Sequence, residues 1–574
     1  MTVRNKYFLF SLLAVAVMAV FCFWNGGQEE NNPNTLYFSR EPGFYDTAFS
    51  LEILSDSNAD VFYTLDGSTP TRDSIPYTGP IWLSDPSNQP DRYACIAETS
   101  TGFRQDLVAQ MPDYGHSLPG YVVPDRVDKC NVLRAAAYDG EVCLGTITGT
   151  YFIGMQEKPV YDGFCLVSLV TDPDNLFDSD NGIYVTGQEF SYFMENADLE
   201  AYPWQFWDAN YHQRGRDYER PAHIEVFTED RSALLSSPCG IRVHGNMSRA
   251  FLPKSLNVYA RRAYSGSDVF SPSPIPGGQT LPSKCMLFAG GNDNCFLLKD
   301  AMVQQLCADL NMATMDMYPC MVFLDGEFWG ASYLSEAYDS KYISDHYGIP
   351  EDSVVMVKVG ALSEGTEADL ADYQKMVDFI TNQDMTVAEN YAQAKERIDV
   401  ESYADYFATQ IYIARHMDWP IENVALWRAK TTPVENSWRD GKWRWMLFDC
   451  NSEGMESAYT QLDTMKMAME LDSMFASLCE NPEFKALLSQ RLYHVATEVF
   501  SQENCDRYLA KYREEIVPAV QAGNLRFYGE DKAREIQDNI QDIALFFRER
   551  PAFLDTMIAQ NLGEEYVQCS TAMN

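Results

Sequence analysis

His416-Met417-Asp418-Trp419-Pro420-Ile421-Glu422-Asn423 is the stretch on which the fold of this chain turns. Its aspartate and asparagine have the spacing that phosphoryl-transfer loops use. There a carboxylate takes the proton of an attacking hydroxyl, and an amide a few residues later holds a magnesium ion against phosphates. The same letters also fit a plain turn ending a helix over Tyr403 to Arg415, with Pro420 as the breaker.

Downstream, Trp443-Arg444-Trp445-Met446-Leu447-Phe448-Asp449-Cys450-Asn451 reads as an apolar strand that delivers an acid to its end. A hard cation needs an oxygen ligand at such a place, although Asp449 also fits a simple strand cap. Upstream, Gly245-Asn246-Met247-Ser248-Arg249 follows one predicted strand and Pro253-Lys254-Ser255-Leu256-Asn257-Val258 opens the next. A small-residue turn with backbone N–H groups, then a lysine on a strand, is a way to cover and pair nucleotide phosphates; a polar β-hairpin explains the same residues. Further strands are expected at Ile224 to Phe227, Cys239 to Gly245 and Leu256 to Ala260, and an amphipathic helix over Asp300 to Leu310. Pro319 to Leu334 reads as a β-hairpin turning at Asp325-Gly326.

Four blocks stand in order: Arg242 to Arg249 with Pro253-Lys254-Ser255, Asp325-Gly326-Glu327-Phe328-Trp329-Gly330 with Tyr333 and Glu336, Asp418 to Asn423, and Trp443 to Asn451. Together they resemble the CotH (spore-coat protein H) kinase family over roughly residues 160 to 460. The resemblance implies an atypical protein-kinase-like domain that transfers phosphate from ATP, with Mg2+, to Ser or Thr of coat or cell-surface proteins. It implies Asp418 as the catalytic residue, Arg242, Asn246, Lys254 and Glu336 at the nucleotide, and Asn423 and Asp449 at the metal, with Glu336 either pairing with Lys254 or contacting the metal. Two positions depart from the family pattern. Phe448-Asp449-Cys450-Asn451 carries an amide where a second aspartate is usual, and Lys299-Asp300 stands where Arg-Asp is common. A non-catalytic surface or glycan-associated protein that keeps the kinase-like fold is the alternative.

Residues 36 to about 155 read as short alternating strands, for example Phe49 to Ile53 and Val61 to Leu65 before the turn Asp66-Gly67. Tyr63 to Thr71, Tyr77 to Ile81 and Leu133 to Tyr138 resemble the C-terminal sandwich module of chitobiases and hexosaminidases, in which Tyr77 or Trp82 would stack on sugars if exposed. From about Leu471 the pattern is helical. The expected fold is α+β in four parts: residues 1–30 a signal or anchor with linker, 31–155 a β-sandwich, 156–470 the kinase-like domain, and 471–574 a helical lobe.

Composition narrows the functions. With 574 residues the chain exceeds one ordinary core, and 46% hydrophobic residues suffice to fold it. A formal charge of -40 repels phosphate backbones and argues against nucleic acid as a partner. Arg4 and Lys6 before the apolar run Tyr7 to Trp24 place the rest of the chain outside the cytoplasm, membrane-anchored or secreted; Phe21 before Cys22 argues against lipoprotein processing. The fourteen cysteines form no CxxC pair, so metal-site spacing is absent and free buried thiols are the default, with Cys130/Cys143 and Cys285/Cys295 the nearer pairs for oxidation. No HExxH, GxSxG or GxxxxGK[ST] motif occurs.

Overall fold

Alternation builds the N-terminal part. Strands Phe49–Leu51 and Ile81–Leu83 pair antiparallel and bury Phe49, Leu51, Ile81 and Leu83 while Ser50 and Trp82 face outward. Opposite lies a five-stranded sheet in the order Gly43–Tyr45, Val142–Ile153, Asn131–Asp139, Asp60–Thr64, Ile75–Pro76. Between the two sit Leu133, Ala135, Tyr151 and Ile153, which with the first four residues form a small core of their own. This computed structural model describes residues 36–104, 107, 122–196, 203–430 and 437–567. The expected N-terminal anchor and Cys22 lie outside them. Among the described residues no helix is long and apolar enough to cross a membrane.

The strands expected from Ile224 onward are present, and they close on themselves. Cys165–Thr171, Arg220–Phe227, Ala233–Val243, Leu256–Tyr259, Lys284–Phe288, Glu327–Ser335 and Met317–Leu324 form a seven-stranded closed barrel. Its seam is parallel, Cys165 to Leu169 against Cys320 to Leu324. The hairpin turns at Asp325 and Gly326, at φ 45° and 86°, the positive values that a two-residue turn matched to strand twist requires. A Cβ on Gly326 would also stand 2.8 Å from the Cys130 carbonyl oxygen.

That turn holds the sandwich. Glu327, 3% exposed, accepts the backbone N–H groups of Arg92 (2.6 Å), Tyr93 (3.1 Å) and Ala94 (2.7 Å). The Cys130 amide donates to the Gly326 carbonyl at 2.8 Å, and the Phe152 and Phe323 rings meet at 5.1 Å.

The helix expected over Asp300 to Leu310 runs Lys299–Leu306. Beyond the barrel, a second antiparallel sheet orders Ala361–Glu364, Val354–Lys358, Ala425–Ala429 and Arg444–Met446. The helix Val400–Tyr412 contacts its Arg444–Met446 edge. The C-terminal helices, from Thr464–Leu471 to Pro551–Asn561, share one continuous core with the barrel and this sheet. Phe527 packs on Trp329 with ring centroids 6.1 Å apart, and buried Arg550 donates to the carbonyls of Ile411 (2.9 Å) and Leu462 (2.8 Å). Helices after residue 470 are therefore part of the kinase-like body.

All twelve described cysteines are free thiols; Cys130 and Cys285 are buried and Cys143 is exposed.

Candidate active site

Helix Val400–Tyr412 is capped by the Asp399 side chain and buried from Ser402 to its end, which makes it a fixed post for the loop at its C-terminus. At its end Ala414 takes φ 60° and swings Arg415 inward to 1% exposure. The Arg415 guanidinium donates to Asp418 Oδ1 at 2.5 Å and to the Phe448 carbonyl at 3.4 Å, and stands 3.8 Å from Glu453 Oε1. Glu453 in turn accepts the amides of His416 (3.3 Å), Met417 (3.1 Å) and Asp418 (3.4 Å). Burial alone would raise the Glu453 carboxyl, but Arg415 and hydrogen bonds with the Asp418 and Ser452 side chains and the Met417 amide hold it below the usual glutamate range. Asp418 moves the other way: burial raises it against the pull of Arg415, and Glu453 adds to the rise.

The second arm comes from the strand Arg444–Met446. Past its end Asp449 takes φ 56° and accepts the Asn451 side-chain amide on Oδ1 at 2.7 Å. Asn423, at φ 54°, donates its amide to Asp418 Oδ2 at 2.6 Å, and Ser452 Oγ reaches the same oxygen at 3.1 Å. Asp300 accepts the Cys450 amide at 3.2 Å. Burial pushes Asp449 up to about 6, with the charges of Asp300 and Asp418 contributing and Arg415 opposing. The turn Gly290-Gly291 lies over this arm, since a Cβ on Gly291 would come within 2.7 Å of the Asn451 amide nitrogen. Asp418, Asn423 and Asp449, singled out in the sequence, thus share one site.

This donor set fits a magnesium ion. Asp449 Oδ2 carries no hydrogen bond among the described residues, and the crowded acids there have an excess of negative charge. No group of three or more His, Cys, Asp or Glu side chains at ligating spacing occurs among the described residues. Magnesium suits such a sparse set, because it takes one or two carboxylates and completes its shell with phosphate and water oxygens.

The nucleotide residues read from the sequence are dispersed. Lys254 is 3% exposed; its ammonium donates to the Arg249 carbonyl at 2.8 Å and lies 3.8 Å from the Tyr211 ring centre, and burial pushes its pKa far below the usual lysine range. Glu336 does not pair with it. That carboxylate meets His346 Nε2 at 2.8 Å and the Asp316 amide at 3.0 Å. Asn246 accepts from Arg214 at 2.7 Å. Arg242 lies over the Tyr259 ring and 3.7 Å from Glu219.

A group of basic side chains lies elsewhere, with the acids Asp339 and Glu364 near its two lysines. Strand register puts Arg242, Asn257 and Met286 side by side, and Tyr259 beside Lys284, so these residues share one side of the barrel. His244 continues it, and Lys358 approaches from the second sheet. Burial and the charges of Lys284, Arg249 and Lys358 push His244 down to about 3, while burial and Lys284 bring Lys358 to about 8. Lys358 stands 5.3 Å from the Phe448 ring centre, directly before Asp449, and the Lys284 ammonium has no hydrogen bond or ion pair among the described residues. A signal for Lys284 was present: Lys284-Cys285-Met286-Leu287-Phe288 is a lysine-led strand just before the helix that carries Asp300.

Two family comparisons match these features. Residues 40–90 match the chitobiase/beta-hexosaminidase C-terminal domain, and residues 241–554 match the CotH kinase protein family. No curated protein matches the chain. The second match runs from within the barrel strand Ala233–Val243 to within the helix Pro551–Asn561 and covers more than half of the sequence, so the chain belongs to the CotH kinase protein family.

Proposed function

We propose that this protein is a magnesium-dependent kinase that transfers the terminal phosphate of ATP to Ser or Thr of other proteins. The observation that carries the reading is the meeting of Asp418, Asn423 and Asp449, with Lys358 of the basic group 5.3 Å from the ring of Phe448, the residue before Asp449. Asp418 is the proton acceptor for the attacking hydroxyl, oriented by Arg415, Asn423 and Ser452. Asp449, with the side-chain oxygen of Asn423, would hold magnesium, and Lys284 and Lys358 would receive phosphate oxygens. When bound, ATP supplies the phosphoryl group and magnesium neutralises its charge.

The family membership suggests coat or cell-surface proteins as the acceptors, and the apolar run after Arg4 and Lys6 would hold or release the protein outside the cytoplasm. Trp82, 66% exposed on the sandwich, is the residue for contact with glycan.

Labelled ATP with magnesium tests the reading on the full chain beside Asp449→Ala. Label on Ser or Thr of an added protein, lost by about 100-fold or more in the variant, supports it. Equal label from both, or none from either, overturns it. The amide of Asn451 held on Asp449 favours a second reading, in which nucleotide binds without turnover. Saturable ATP binding with no transfer at any magnesium concentration would select that one.

A further inference from the structure

The residues around the catalytic loop have an unusual surface. Met417 and Ile421, on either side of Asp418, are 76% and 65% exposed, and Leu471 is 48% exposed. Three large apolar side chains exposed around one loop are a grouping of the kind found at contact sites. Next to them a cavity of about 350 Å3 is lined by Pro420 of the loop, by Val377, Asp378 and Thr381 of the helix Glu367–Asn382, and by Leu471 to Met474. Pro420 belongs both to this cavity and to the loop that carries Asp418.

The charges on these elements are mostly of one sign. Asp378 and Asp472 line the cavity, Glu422 follows Ile421, and Glu470 precedes Leu471. On the same elements stand Lys375, one turn before Asp378, and Lys466, which reaches Glu470 at 3.9 Å. Asp472 is tied locally, accepting the Phe475 amide at 2.9 Å, and burial raises its pKa. The cavity has no basic residue in its wall.

We infer that this cavity and the exposed Met417, Ile421 and Leu471 form the docking surface for the acceptor polypeptide, an extended segment with a large apolar residue seated against Pro420 and Leu471 and a lysine or arginine beside Asp378. The inference rests on the kinase reading for the reason a peptide comes there at all. Apolar burial anchors the segment, and the acidic rim selects the basic neighbour. Three residues set the preference: Leu471 and Ile421 for the apolar position and Asp378 for the basic one.

Fluorescence anisotropy on the full chain tests this without requiring turnover. The probe is a labelled peptide with one serine, one leucine and two arginines, compared with its Leu→Ala and Arg→Glu forms. Binding of the parent, weakened about tenfold or more by either peptide change and by Leu471→Asp or Asp378→Lys in the protein, is the expected result. ATP binding by the two variants, equal to that of the parent, reports that they are folded. Equal affinity for the three peptides, or no loss in either folded variant, overturns the docking surface even if transfer to other proteins is observed. Selective peptide binding together with a chain that transfers no phosphate leaves the docking surface standing and removes the kinase reading.

Discussion

Arg415 is the residue on which the loop from His416 to Asn423 hangs. It is buried between two carboxylates, those of Asp418 and Glu453, and its removal leaves both acids without their cation. Arg415→Gln is expected to lower stability by about 3 kcal/mol in urea denaturation, since breaking a buried ion pair strands charge. Asp449 gives a pH signature. Its folded value, about 6, lies above the 3.8 of an ordinary aspartate, so its favourable contribution is complete below about pH 3.8 and is lost as pH rises through about 6. The ligand-free Asp449→Asn protein should therefore gain stability relative to the parent over that window, as read by Tm. Magnesium-dependent stabilisation of the parent should grow over the same window, because the ion needs the charged carboxylate. The grouping of Asp418, Asn423 and Asp449 was legible in the sequence because their types and their order match the family's ordered blocks. Lys284 left only a weak signal, the lysine-led strand before the Asp300 helix, and Lys358 left none, because its approach to Lys284 joins two separate sheets that no local spacing records. Lys254 had the right letters but a partner in Tyr211 that lies forty-three positions away.

At the scale of the element, the hairpin Met317–Leu324 with Glu327–Ser335 shows what a turn motif does and does not reveal. Asp325-Gly326 named the turn, since few other pairs accept two positive φ values. The role of Glu327 was hidden, because its three donors belong to a segment more than two hundred residues earlier. Glu327→Ala removes the carboxylate that accepts the amides of Arg92, Tyr93 and Ala94. It should cost about 2 to 3 kcal/mol and speed proteolytic cleavage around Asp91 to Ala94, with limited proteolysis as the measurement. Five of the seven barrel strands were legible in the sequence; Cys165–Thr171, buried on both faces, and Lys284–Phe288 were not, nor was the closure, since a parallel seam leaves no mark in either strand alone.

At the scale of the whole molecule, the barrel, the second sheet and the C-terminal helices are one packed body. A boundary near residue 470 follows the change in hydrophobic pattern but does not separate cores. A chain ended at residue 470 loses Phe527 from Trp329 and Arg550 from the end of helix Val400–Tyr412. It is expected to be aggregated or degraded, with no cooperative melting transition in calorimetry. The parallel seam also sets an order in time. Strand Cys165–Thr171 cannot find its parallel neighbour until residue 324 has emerged from the ribosome, so one apolar strand edge waits through the synthesis of about 150 further residues. During that interval the growing chain is exposed to edge-to-edge pairing with its own copies. A holdase that keeps such edges apart would raise the yield of this protein, and synthesis pauses placed before residue 324 would lower it.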